Sequence, residues 1–208
     1  VDDLRTFHAN HFNAANTVIS VVGDIDPKQI QQQVAELFAD LPVSEKPFKT
    51  PHPDRPQSKI ENFHTSKPLA AVQIGFGPGI TRDHEDYAAI QVLAGVFSDF
   101  PSGWLEQELR GKGPGLVYAV GAGARVGSVP GYFSILFNTD SKRAPEAIKR
   151  ALSVVDRAKA GDFDDPSISR AKARVLADEL MTKQGNSARA AGLALDHLYG
   201  VPDSGAGP

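Results

Sequence analysis

The sequence predicts an α+β fold, built as two layers: a largely antiparallel sheet with helices packed on one face. Strand-like segments come as neighbours in the chain, at 59–66 with 70–76 and at 116–125 with 132–138. Helix-like segments come in separate runs, chiefly in the last third of the chain, and this order favours α+β over an alternating parallel sheet. Hydrophobic residues make up 41% and charged residues 23% of the chain, so a sizeable core can form.

Asp2 to Phe12 reads as a helix, with Leu4, Phe7, His8 and His11 on one face. Thr17 to Val22 is a β-branched apolar run and predicts a buried strand, broken by Gly23-Asp24. Asp26 is a good N-cap and Pro27 a good first helical residue for a helix carrying Ile30, Val34, Leu37 and Phe38. Residues 1–41 thus form a helix–strand–helix unit. Residues 42–58 contain Pro42, Pro47, Pro51, Pro53 and Pro56 and read as an extended linker. A second domain follows over 59–200. In it, Ala70 to Phe76 alternates Val72, Ile74 and Phe76 against Ala71, Gln73 and Gly75, as a half-buried strand does. Asp83 opens a helix through Tyr87, Ile90, Leu93 and Phe97, and a shorter helix covers Trp104 to Arg110. A hairpin pair then joins Leu116–Arg125 to Tyr132–Asn138. Helices follow at Pro145–Lys159, Asp165–Lys183 and Ala188–Tyr199. The Gly- and Pro-rich residues 201–208 read as a disordered tail.

Composition excludes several chemistries. The chain has no cysteine, which removes disulfides, cysteine-ligated zinc and thiol nucleophiles and leaves the compartment open; a periplasmic or envelope setting fits a bacterial source. A net charge of −3 with no long basic run argues against a nucleic-acid surface. No apolar stretch approaches the roughly 20 residues that span a bilayer. The opening Val1-Asp2-Asp3-Leu4 is neither an initiator nor a signal peptide, and reads like the interior of a longer polypeptide.

Of six histidines, only His8 and His11 are close, one helical turn apart, with no third ligand or general base nearby. Surface or packing roles are the simpler reading. His84-Glu85 begins like a zinc-helix motif, but Ala88 stands where the second histidine belongs. Gly121, Gly123 and Gly127 lie between two strands rather than at a helix start, so a flexible strand explains them better than a phosphate loop. No serine-nucleophile elbow is present. Asp162, Asp164 and Asp165 lack calcium-loop spacing and fit helix capping.

Two segments are more specific. The first is Leu4-Arg5-x-Phe7-His8-x-x-His11-Phe12 with Asn16-Thr17 and Val21-Val22-Gly23-Asp24. The second runs from Val72-Gln73-Ile74-Gly75-Phe76 through Asp86-Tyr87-Ala88-Ala89 to Leu109-Arg110 and Gly115-Leu116-Val117-Tyr118. In order and spacing, from Asp2 to about Tyr199, they resemble the pitrilysin/insulinase family of zinc metallopeptidases, which includes mitochondrial processing peptidase. The first segment is similar to the end of that family's zinc-carrying domain and the second to its following, non-zinc domain.

The resemblance implies that the HxxEH zinc site and its distant glutamate lie upstream of Val1. This chain would then hold no metal, no cofactor and no catalytic residue, and would be inactive alone. The complete peptidase would carry zinc, either in an upstream domain or in a separate zinc subunit. The implied role is to bind a peptide or unfolded protein substrate and close the cavity, through Arg110 and Tyr118. A non-catalytic subunit or peptide-binding scaffold of the same fold is the alternative. The sequence departs from the family at one point: Arg110 and Tyr118 stand one residue further apart than the pattern has them, with Pro114 as the inserted residue.

Overall fold

Phe133, Ile135 and Phe137 alternate with polar or exposed neighbours, and all three are buried. A strand whose inner face is this apolar stabilises the fold best from the middle of a sheet. β3 (Tyr132–Asp140) occupies that place, between β1 (Leu69–Phe76) and β2 (Val117–Arg125), and both pairings are antiparallel. This computed structural model describes residues 1–43, 54, 57–77, 79–111 and 115–201.

The alternation foreseen in β1 is observed: Val72, Ile74 and Phe76 face the core, opposite Phe137, Ile135 and Phe133 of β3. Helices cover the same face. α3 (Tyr87–Ser98) contributes Val96 and Phe97, and α5 (Ala144–Lys159) contributes Ala147, Ala151, Val154 and Val155. The inward positions of α5 are alanines in its first half and valines in its second. The opposite sheet face is open, with Leu69, Tyr132 and Leu136 exposed. This is the two-layer antiparallel α+β arrangement that the sequence predicts.

The chain divides into two compact units: Val1–Pro51 with Met181–Pro208, and His52–Leu180. The second contains the sheet, α3, α5, most of α6 (Asp165–Thr182) and the short helix α4 (Trp104–Glu106), which runs on into a π turn, Gln107–Gly111. The first contains α1 (Asp2–His11), α2 (Pro27–Leu37) and α7 (Asn186–Tyr199), and none of these three helices has a buried residue. Asp26 caps α2 as expected, accepting from the backbone N–H groups of Lys28 and Gln29 at 2.8 and 3.2 Å.

Several expectations are corrected. Thr17–Val22 forms no strand; its inner residues Val18 and Ser20 are half-buried and line a groove with Leu193, Ala194 and His197 of α7, while Ile19 and Val21 are exposed. A β-branched run is strand-prone, but a ladder needs a partner strand, and none is present among the described residues of this unit. The predicted strand at 59–66 is likewise unpaired, and Ile60 and Phe63 are exposed. α3, expected to open at Asp83, starts at Tyr87 after Asp86; Asp83 lies in the preceding turn, where a hydrogen bond with Thr81 holds its carboxyl below the usual carboxylate range. Most of the proline-rich stretch 42–58, and residues 202–208, lie outside the described residues.

Candidate functional site

Arg110 owes its position to the anchoring of α4. Trp104 is buried, stacks on Phe97 and Phe163 at ring distances of 6.2 and 5.1 Å, and donates its indole N–H to Ser167 Oγ at 3.3 Å. The Arg157 guanidinium covers its ring at 3.7 Å. Leu105 and Leu109 are fully buried. With both leucines pointing into the core, the next residue on the π turn, Arg110, points out, and its side chain is 38% exposed.

Tyr118 is turned outward by a β-bulge. Val117 pairs with Thr139 and Val120 with Phe137, so three steps on β2 oppose two on β3. The extra residue lets Val117 and Val120 both face the core and leaves Tyr118 and Ala119 both exposed. Tyr118 is 85% exposed.

The two side chains named from the sequence meet: the Arg110 guanidinium carbon lies 5.6 Å from the centre of the Tyr118 ring, within cation–π range. Two further side chains join them. Phe100, 62% exposed, places its ring centre 5.0 Å from the same carbon. Glu106, one helical turn before Arg110, is buried and brings Oε2 to 3.6 Å from Arg110 Nη1, an ion pair rather than a short hydrogen bond. Glu106 was legible in principle from its i, i+4 spacing. Nothing in the sequence brings Phe100 to this place. Pro114 lies outside the described residues.

Chemically, the cluster presents hydrogen-bond donors and aromatic area at the surface. A guanidinium offers planar N–H donors and a phenol offers an O–H, both suited to peptide carbonyls. Among the described residues, no group of three or more His, Asp or Glu side chains could hold a metal ion. His8 and His11 are occupied with aromatic neighbours: His8 stacks on Phe12 at 4.7 Å and His11 packs on Phe7 at 4.3 Å. His84 is a surface residue that accepts from the Asp86 N–H at 3.1 Å. The acidic cluster does cap a helix: Asp164 accepts from the Ser167 N–H and hydroxyl, each at 2.8 Å.

Comparison with known proteins supplies the wider setting. The family model described as the peptidase M16 inactive domain matches residues 1–175. The chain belongs to this family. M16 inactive domains are related to the pitrilysin/insulinase zinc metallopeptidases, as the sequence resemblance implies. As an M16 inactive domain the chain is a module without a catalytic site of its own. It is 27% identical over 165 residues to the probable inactive metalloprotease YmfF of Bacillus subtilis, covering 78% of this chain and 38% of that protein. It is 22% identical over 201 residues to the zinc protease PqqE of Helicobacter pylori, covering 94% and 45%. A crystal structure of an M16 inactive domain from Pseudomonas fluorescens superposes with a TM-score of 0.86 at 23% identity, covering 97% of this chain and 48% of that one. The chain thus spans about half or less of the length of each of these three proteins.

Proposed function

We propose that this M16 inactive domain is the substrate-binding, cavity-closing portion of a zinc metalloendopeptidase. Its zinc is held by a separate zinc-binding domain, upstream in the same polypeptide or on a partner subunit. The observation that carries this reading is the outward-facing pair Arg110 and Tyr118, held against each other at the surface of a module that has no catalytic centre. Residues 1–41 are then the tail of the preceding zinc-type domain, and the substrate is an extended peptide or unfolded protein. Arg110 anchors backbone carbonyls, and the Tyr118 hydroxyl donates to the oxyanion that develops as the peptide bond is attacked.

Tyr118→Phe in the complete peptidase tests this. The change removes one hydroxyl from an 85% exposed residue, so stability stays the same. Loss of an oxyanion donor lowers the rate by roughly tenfold to a thousandfold. Arg110→Ala raises KM instead, because a guanidinium chiefly anchors the peptide. Unchanged kinetics in both variants would reject the assignment. A second reading, a non-catalytic subunit or peptide-binding scaffold, is favoured by the relative YmfF, whose name describes an inactive metalloprotease. It predicts that the complete protein binds peptides without cleaving them.

A further inference from the structure

We propose that an apolar groove on the helical side of the unit His52–Leu180 is covered by an acidic amphipathic helix, supplied by the same polypeptide from outside these 208 residues. The inference rests on this module being part of a longer polypeptide, and not on the roles given to Arg110 and Tyr118.

None of the 12 residues of α3 is charged, and Tyr87, Gln91 and Ser98 are its only polar side chains. A helix that is apolar on every side is ordinarily a buried one. Here only Val96 and Phe97 are buried; Val92 and Leu93 are half-buried, and Ala88 and Ala89 are exposed. α6 closes on α3 where a Cβ on Gly95 would stand 3.0 Å from Ala171 Cβ. Beside that contact, Ala88, Ala89, Val92 and Ile168 line a cavity of about 340 Å³. A second cavity, of about 290 Å³, lies among Phe76, Ile90, Phe133 and Val155. Leu93 and Phe163 line both, and Phe163 is fixed by its stacking on Trp104 at 5.1 Å.

The groove runs along α3, α5 and α6, whose backbone groups are already paired within the helices, so it offers no edge to a strand. An occupant must satisfy its own backbone, as a helix does. Side chains at i and i+4 of one helix stand roughly 6 Å apart and suit two cavities that share a wall. None of the buried polar side chains lines either cavity, so no such group orients a small ligand there. Charge sets the sign of the partner. Lys159 and Lys172 border the two cavities, exposed and with no ion-pair partner among the described residues. The acids flanking Phe163 are already engaged: Asp162 and Asp164 pair with Arg157 at 3.1 and 3.6 Å. Carboxylates on the covering helix complement the two lysines. This chain covers 38%, 45% and 48% of the three compared proteins, so such polypeptides hold further chain to supply a helix.

The chain has no cysteine, so one introduced thiol reports on one place. Ala89→Cys puts it on the exposed wall of the groove with little change in volume. Its alkylation by iodoacetamide, read by mass spectrometry of the peptide that carries residue 89, is compared between the 208-residue chain and the complete protein. The rate should be at least about tenfold lower in the complete protein, because a covered thiol reacts only when its cover opens. Carbodiimide treatment of the complete protein should join Lys159 or Lys172 to an Asp or Glu outside residues 1–208, in a segment with apolar residues at i and i+4. Lys159→Glu with Lys172→Glu should raise the alkylation rate of the complete protein and leave that of the 208-residue chain unchanged. Equal rates in the two proteins, no cross-link outside residues 1–208, a cross-link only to a co-purifying protein, or full protection after charge reversal overturns the inference. Slow alkylation of the isolated chain that speeds up on dilution places a second copy in the groove and overturns it as well. The kinetics of the Arg110 and Tyr118 variants are read separately, so either reading can fail while the other stands.

Discussion

At the scale of single residues, identity and environment divide the work. Arg110 and Tyr118 are legible in the sequence because they sit inside a recognisable pattern, although that pattern is stretched by one residue. Their proximity is not legible, because it depends on a π turn and a bulge bringing two separate elements together. Thr139 is the converse case. Nothing marks it in the sequence, yet it is buried and its hydroxyl donates to the Leu116 carbonyl at 2.7 Å, fixing the chain where it enters β2. Thr139→Val keeps the shape and leaves that carbonyl without its partner. The expected loss is about 1 to 3 kcal/mol in urea unfolding, the scale of an unsatisfied buried acceptor. Wild-type stability in this variant would show that the carbonyl finds water instead.

At the scale of elements, local sequence signals place starts well and interruptions poorly. The Asp26-Pro27 start of α2 and the alternation of β1 and β3 follow directly from residue type. The bulge in β2 has no such signal: Val117-Tyr118-Ala119-Val120 does not alternate, and only the fixed register of β3 shows which residue is extra. The start of α6 is legible in kind. Ser167 donates from its backbone N–H and its hydroxyl to Asp164, and these bonds hold the Asp164 carboxyl below its usual range, with Arg157 adding a smaller effect. A lowered folded-state pKa means that the stabilisation is complete above the unfolded value, about 4, and is lost as pH falls through the folded one. Asp164→Ala should therefore lower the urea midpoint at pH 7, and the gap from the parent should narrow below about pH 4. Equal gaps at pH 7 and pH 3 would show that the ionised carboxylate contributes nothing.

At the scale of the whole molecule, the two units differ in kind. Among the described residues, the sixteen buried hydrophobic residues of the core, from Val96 to Ala171, all lie in the unit His52–Leu180. In the other unit, α1, α2 and α7 bury no side chain, and Leu4, Phe7, Leu37 and Phe38 are exposed. Local opening is easiest where few apolar contacts must break. Amides of α1, α2 and α7 should thus exchange with solvent hydrogen well before those of β3 and α5, in the isolated chain under native conditions. Comparable protection in both sets would mean that the first unit has cohesion its burial does not account for.

Composition and pattern alone determined that this chain is a cysteine-free α+β protein with an apolar sheet face, without an HxxEH motif, and similar to the non-zinc part of a metallopeptidase. Those properties depend on residue type and periodicity, which the sequence states outright. Only the tertiary structure decided that Thr17–Val22 and 59–66 stay out of any ladder, and that Tyr118 and Phe100 stand beside Arg110. Strand pairing and ring contact each require a second group from another part of the chain. The partner's presence and distance are properties of the folded molecule, not of either segment.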